Sequence, residues 1–297
     1  MRMIHCLLLA AGLLAMTQSH AGPPPTEQLP VEDKLHGDTL VDPYRWLEGD
    51  DERVSAWTDA QNAHTRGVGP RSLPGRAALE ARLRELMEVP VISAPEMHGK
   101  RYFYSRQEGG QPQPRYYVRD ELDGEERLLL DPEAIDPSGL TAIDWTAPSA
   151  DGGLMAFGTH QSGDEKTVLH VMDVATGTWL AEEIPARAGF LRWQPDGAGF
   201  YYARLEDVED PYSTMVKYHR LGTHHRQDPV LFRQRDLAFF YGDSGKNEQE
   251  LEFLKGTWGP GALISRDDRW MAVYYWTGTD SVDLWAASLD EWRDTGE

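Results

Sequence analysis

The stretch Asp144-Trp145-Thr146-Ala147-Pro148-Ser149-Ala150-Asp151-Gly152 is followed by Leu154–Phe157 and then by Leu169–Asp173. It reads as a strand, a tight turn, a strand, a loop and a further strand. Asp-Gly suits the turn because both residues tolerate left-handed backbone angles. The same plan recurs at Leu191-Arg192-Trp193-Gln194-Pro195-Asp196-Gly197, with Phe200–Tyr202 and Val216–His219 after it. A third copy reads Ala262-Leu263-Ile264-Ser265-Arg266-Asp267-Asp268, then Trp270–Tyr275 and Asp283–Ala287. Asp151 to Asp196 is 45 residues, but Asp196 to Asp267 is 71. A four-stranded blade takes about 40–50 residues, so the longer interval predicts an insertion. Such repeats mark a β-propeller; the competing architecture is a β-sandwich with chance Asp-Gly turns.

Further strands fall on the N-terminal side of the repeats, at Arg101-Tyr102-Phe103-Tyr104 and Tyr116-Tyr117-Val118. Residues 42–90 read as helical instead. Asp50 and Asp51 are plausible N-caps for a helix over Glu52–Arg66, which Gly67 ends. A second helix starts near Pro74, carries the apolar stripe Leu79, Leu83, Leu86, Met87, and stops at Pro90. The chain is thus expected to divide into a signal segment (1–21), an extended linker (22–41), a helical segment (42–90) and a β-propeller part (91–297).

Composition restricts the partners. Lys+Arg is 29 and Asp+Glu is 49 in 297 residues, a net charge of −20. Phosphate backbones and anionic lipid repel such a chain, which argues against nucleic acid or a membrane surface as partner. Hydrophobic residues make up 40%, with ten Trp and twelve Tyr, too apolar for a disordered acidic tail. Cys6 is the only cysteine, so neither a disulfide scaffold nor a cysteine zinc site is available.

Residues 1–21 read as a secretory signal. Arg2 precedes the eleven-residue apolar run Cys6–Met16, too short to span a bilayer. Ser19-His20-Ala21 offers small residues at the two positions a signal peptidase reads. A buried core helix is the other reading of the run, and Pro23-Pro24-Pro25 directly after it opposes that. A periplasmic or extracellular location follows.

No catalytic constellation is legible. A nucleophile elbow needs Gly-x-Ser-x-Gly. Gly242-Asp243-Ser244-Gly245-Lys246 lacks the second glycine in place, and the polar run Asp243 to Glu250 reads as a loop. His219, His224 and His225 suggest a metal only weakly, since adjacent histidines on a strand would point to opposite faces; the stretch reads instead as a polar loop beginning at Gly222. Glu206-Asp207-Val208-Glu209-Asp210 lacks the calcium-loop pattern. No metal and no cofactor is expected.

The box Asp42-Pro43-Tyr44-Arg45-Trp46-Leu47-Glu48, after His36-Gly37 and before Gln61-Asn62, resembles the prolyl oligopeptidase family of serine peptidases. The similarity continues through Gly99–Tyr104, Leu122-Asp123-Gly124-Glu125, Leu128–Pro132, Ser149–Gly152, Trp193, Asp196-Gly197, Tyr218–Thr223 and Leu284-Trp285, so it covers the chain from about Val31 onward. The resemblance implies a seven-bladed propeller capping an α/β-hydrolase domain that cleaves short peptides after proline. It also implies that only about four blades lie in this chain, with no hydrolase sheet and no Ser-Asp-His triad. The chain then reads as the N-terminal portion of a secreted endopeptidase whose partners are short proline-containing peptides and a missing hydrolase domain. By the same resemblance, Trp276 and Thr279, in the loop Trp276-Thr277-Gly278-Thr279-Asp280, face the substrate cavity. A non-catalytic propeller-like binding protein is the alternative. A propeller glycosidase would leave the Asp42–Glu48 box to chance.

Cleavage after Ala21 is the expected processing step. N-terminal sequencing and intact mass of exported protein should show Gly22 first; an uncleaved terminus in a secretion-competent host contradicts the signal reading.

Overall fold

The N-terminal stretch is rich in proline, which removes backbone donors, so its order has to come from side chains that reach its carbonyls. The computed structural model describes residues 22–68, 74–242, 244–257, 259–279 and 281–295, in two units, Met1–Leu86 and Met87–Glu297. The signal segment 1–21 lies outside the described residues.

In the first unit, Trp46 Nε1 donates to Glu27 O (2.9 Å), Trp57 Nε1 to Thr26 Oγ1 (2.9 Å) and Gln61 Nε2 to Pro24 O (2.8 Å). The second half of the expected linker is a hairpin, which corrects that reading. Strands Val31–Leu35 (β1) and Asp38–Asp42 (β2) pair antiparallel. They turn at His36-Gly37, whose φ values of 53° and 93° are those of a two-residue hairpin loop. The Asp42–Glu48 box then folds on itself. Asp42 accepts from Tyr44 N (2.8 Å) and Arg45 Nε (3.0 Å), and Arg45 also pairs with Asp33. These contacts, the Tyr44 amide foremost, hold the Asp42 carboxyl below its usual range. Asp51 caps the helix Glu52–Val68 (α1) by accepting from Arg53 N and Val54 N. Helix Arg76–Met87 (α2) leaves its apolar stripe Leu79, Leu83 and Leu86 exposed.

The second unit holds four antiparallel meanders. Sheet one comprises Val91–Ile92 (β3), Glu96–His98 (β4), Arg101–Gln107 (β5), Arg115–Arg119 (β6) and Glu126–Leu130 (β7), with β3 and β4 both pairing with β5. After the short helix Pro132–Ile135 (α3) comes sheet two: Thr141–Pro148 (β8), Leu154–Gln161 (β9), Val168–Asp173 (β10) and Trp179–Ile184 (β11). Sheet three is Gly189–Trp193 (β12), Gly199–Leu205 (β13), Thr214–Arg220 (β14) and Val230–Arg233 (β15). Helices Leu237–Tyr241 (α4) and Glu248–Lys255 (α5) form the insertion that the uneven repeat required. Sheet four has three strands, Gly259–Ile264 (β16), Trp270–Trp276 (β17) and Val282–Ser288 (β18), followed by the helix Leu289–Thr295 (α6). The polar run 243–250 is therefore not all loop. Asn247 accepts from Glu250 N and Glu250 accepts from Asn247 N, a capping box that starts α5.

The sheets stack face to face with three cores between them. Phe103, Val118 and Leu130 meet Met155, Phe157 and Met172; Ala156, Leu169 and Val171 meet Trp193, Phe200 and Tyr202; Tyr201, Val216 and Phe232 meet Met271, Val273 and Tyr275. Neighbouring residues of β9 and β13 point into opposite cores. That is why Leu154–Phe157 and Phe200–Tyr202 are unbroken apolar runs, whereas β17 alternates buried and open positions. Gly99 shows how tightly the sheets' turns approach. Its φ is +60°, and a Cβ there would stand 2.3 Å from Asp151 O.

Sheet three also holds a buried polar cluster, which Glu182 of sheet two joins. His219 Nδ1 donates to Asp228 Oδ2 (2.9 Å), Tyr202 Oη donates to the same oxygen (2.8 Å), and Gly222 N donates to Glu182 Oε1 (2.7 Å). His219 Nε2 stands 4.0 Å from Glu182 Oε1. Beside them Arg204 Nη1 donates to His225 Nδ1 (3.2 Å) and Lys217 Nζ donates to His225 O. Burial, then the neighbouring Arg204 charge, pushes His225 down to about 4, so the ring is neutral and can accept.

Two outcomes follow from this packing. Phe157→Ala should cost about 3–5 kcal/mol in denaturant unfolding, and a cost below about 1 kcal/mol contradicts the described core. His225 is less basic folded than unfolded, so its share of stability is present above about pH 6.5 and lost as pH falls toward 4. His225→Gln should lose less melting temperature than wild type between pH 6.5 and 4.5; equal losses contradict the Arg204–His225 contact.

Candidate substrate-facing loop rim

In each meander the loop between the second and third strand of the antiparallel core falls at the end where the chain passes to the next sheet. Those loops are 108–114, 162–167, 206–213 and 277–281. They are tied to their surroundings. Gln113 Nε2 donates to Thr141 O (2.8 Å), Lys166 pairs with Glu209 (3.0 Å), Arg187 pairs with Glu165 (3.0 Å), and Arg235 pairs with Asp210. The acidic run Glu206–Asp210 is occupied internally. Asp207 accepts from Glu209 N, Asp210 accepts from Tyr212 N, and Ser213 Oγ donates to both Asp207 O and Asp210 O. At Asp136 the Ser138 and Thr141 donors hold the carboxyl down to about 2, so it stays a fixed acceptor at the start of sheet two.

Trp276 and Thr279 lie in one hairpin. Trp276 closes β17 and pairs with Val282 on the outward face of sheet four, half exposed. Thr279 is exposed in the loop, and Asp280 lies outside the described residues. The loop is pinned at its base by Thr277 N to Ser281 O and by the Thr277 and Ser281 hydroxyls, 2.8 Å apart. Thr277 lines a concavity of about 470 Å³ together with Lys246, Asn247, Gln249, Glu250, Phe253 and Leu254. These residues of α5 were not read from the sequence as part of a site. The Asn247-x-x-Glu250 spacing was the available signal for the helix that presents them.

The other candidates are accounted for by local bonding. Ser244 Oγ donates to Tyr241 O (2.7 Å), which makes it a turn residue. His224 and His225 stack at 4.6 Å at a 3-10 turn in the polar loop that begins at Gly222, as the sequence reading expects. His219 and Asp228 have the spacing of a charge-relay pair, but His219 is 1% exposed and the hydroxyl beside it belongs to Tyr202, which donates to the same carboxylate. Among the described residues no group of three His, Cys, Asp or Glu side chains converges as metal ligands, and no helix is long and apolar enough to cross a membrane.

Comparison with known proteins places this architecture. A family model described as prolyl oligopeptidase, N-terminal beta-propeller domain, matches residues 23–254. A prolyl endopeptidase of Elizabethkingia meningoseptica is 25% identical over 277 residues, covering 90% of this chain and 36% of its own. Dipeptidyl aminopeptidase BI of Pseudoxanthomonas mexicana is 26% identical over 264 residues, covering 80% of this chain and 36% of its own. Among solved structures, one from a structural and mechanistic analysis of two prolyl endopeptidases superposes with a TM-score of 0.75 at 32% identity, covering 90% of this chain and 38% of that one. Prolyl oligopeptidase B from Galerina marginata, at 20% identity and a TM-score of 0.68, shares the fold. The chain spans a little over a third of the length of the relatives it matches. Its four stacked meanders and the match over residues 23–254 show that the chain belongs to the prolyl oligopeptidase N-terminal β-propeller domain family.

Proposed function

We propose that this chain is the substrate-screening part of a secreted prolyl oligopeptidase-like serine endopeptidase that cleaves short peptides after proline. The observation that carries this reading is the stack of four sheets with its loops stitched along one rim. Sheets two and three are packed on both faces, so they cannot splay without opening a core. Loops tied by hydrogen bonds and ion pairs form a stiff edge that an extended peptide can pass and a folded protein cannot. On this reading the loop with Trp276 and Thr279 faces the peptide, and the serine, histidine and aspartate of acyl transfer belong to the part of the relatives that this chain does not span. Export rests on the Cys6–Met16 run.

A propeller that only binds is the second reading. It is favoured by one observation: the described residues that resemble catalytic groups, Ser244 and His219, are both engaged internally.

The two readings separate in a chimera. Residues 22–297 would replace the matched third of the Elizabethkingia prolyl endopeptidase. The chimera should cleave a chromogenic Gly-Pro peptide and leave a folded protein intact. A folded chimera that is inactive on the peptide, or that digests the folded protein, contradicts the screening role. The chain of 297 residues alone should neither cleave that peptide nor label with a fluorophosphonate; labelling abolished by Ser244→Ala would contradict the assignment of Ser244 as a turn residue.

A further inference from the structure

Sheets one and two do not meet along their whole length. The register of β9, β10 and β11 turns Phe157, Thr159, His170, Trp179 and Glu183 toward sheet one. Phe157 is sealed in the core. Beyond it the face opens as a groove of about 530 Å³ that ends against Ile135 and Asp136, where α3 leads into β8. The floor of the groove is aromatic. The Trp179 ring meets Phe157 edge-on at 4.8 Å and His170 at 4.9 Å, and His170 Nε2 is 3.0 Å from Thr159 Oγ1. Trp179 is nonetheless 38% exposed. The rim is acidic. Asp136 accepts from Ser138 N, Thr141 N and Thr141 Oγ1, and Asp164 accepts from Lys166 N. Glu183 lies opposite His170 in the register and makes no hydrogen bond or ion pair among the described residues. Lys166, also in the lining, is taken up by Glu209 at 3.0 Å. Burial holds the His170 ring below the usual imidazole range, so the ring adds no charge. Both walls belong to sheets that follow one another in the chain, so a sheet added at either end of the stack leaves the groove as it is.

We propose that this groove between sheets one and two is a binding site for an organic cation, a guanidinium or ammonium group on a flexible stem, with Trp179 as its platform and Glu183 as its counter-charge. A planar guanidinium stacks on an indole face and keeps its N–H groups free for carboxylates. Glu183 stands opposite His170 and His170 touches Trp179, so the carboxylate and the indole flank the same stretch of the groove. An anion would instead meet Asp136, Asp164 and Glu183. An uncharged apolar group would strip water from those carboxylates without pairing them. The net charge of −20 draws a cation toward the chain. In a groove open to water the ion pair stays hydrated, so the binding is weak and exchanges fast. Two sources carry this chemistry, a basic side chain of a peptide and a free polyamine. Cation binding here is independent of the peptidase reading.

The test is fluorine NMR of the full chain carrying fluorotryptophan, titrated with N-acetyl-arginine amide. Trp179→Phe assigns the Trp179 resonance. That resonance should move as the probe is added. N-acetyl-citrulline amide, which has nearly the same shape without the charge, should leave it in place. Glu183→Gln should weaken binding of the arginine probe about fivefold. Glu183→Lys should abolish it. Asp123→Asn, which removes an exposed charge elsewhere in the chain, should change nothing. The remaining tryptophan resonances report that each variant is folded. Spermidine is the second probe, and whichever of the two cations binds tighter names the source. A Trp179 resonance that neither cation moves overturns the proposal. Equal movement by the citrulline probe overturns it too, as does an affinity that Glu183→Gln leaves unchanged.

Discussion

Face-to-face packing of twisted sheets is the constraint from which the rest follows. A meander of four strands cannot hold itself together in water unless its apolar faces are covered, and here the main cover is another meander, with Leu237, Phe240, Tyr241, Leu254 and Leu289 of the helices adding to the core of sheets three and four. Sheets two and three therefore need both neighbours. Phe157 and Ala156, adjacent in β9, serve two different cores, as do Phe200 and Tyr201 in β13. This coupling makes the second unit stiff along the stack. It also fixes the loops at one end in a common rim, because every meander runs in the same order.

Polar interactions refine that packing and do not replace it. The buried Asp228 accepts from both His219 and Tyr202, and Glu182 reaches across from the neighbouring sheet to the Gly222 amide. A buried carboxylate without these donors would cost several kcal/mol; the Asp228 contacts tie the strands of sheet three together, and the Glu182 contact ties sheet two to it. In the first unit the Asp42–Glu48 box does a similar job on a smaller scale. Its indole and guanidinium reach the carbonyls and carboxylates of a stretch whose prolines cannot pair as strands.

How much was legible in the sequence depended on where turns and alternation coincide. Three sheets could be read because Asp151-Gly152, Asp196-Gly197 and Asp267-Asp268 each sit between apolar runs. Sheet one was seen only as separate strands, since Gly99-Lys100 gives no matching signature. The β1–β2 hairpin escaped because its strands, Val31–Leu35 and Asp38–Asp42, are largely exposed and carry no buried alternation. Helix α5 was hidden by its polar composition although its capping box was present. For the site, the hairpin with Trp276 and Thr279 was located through family resemblance, whereas the register that pairs Trp276 with Val282 belongs to β17 and β18 together and no local pattern gives it. The concavity shared by Thr277 and α5 joins segments more than twenty residues apart, a proximity that no local pattern encodes.

The central claim is that stability resides in the sheets covered on both faces. Native-state hydrogen exchange read by mass spectrometry tests it directly. Amides of β9, β10, β13 and β14 should exchange slowest and together, at the rate of global unfolding, while β1, β2 and α2 exchange far sooner. Equal protection across all strands, or slowest exchange in α1 and α2, would contradict the account.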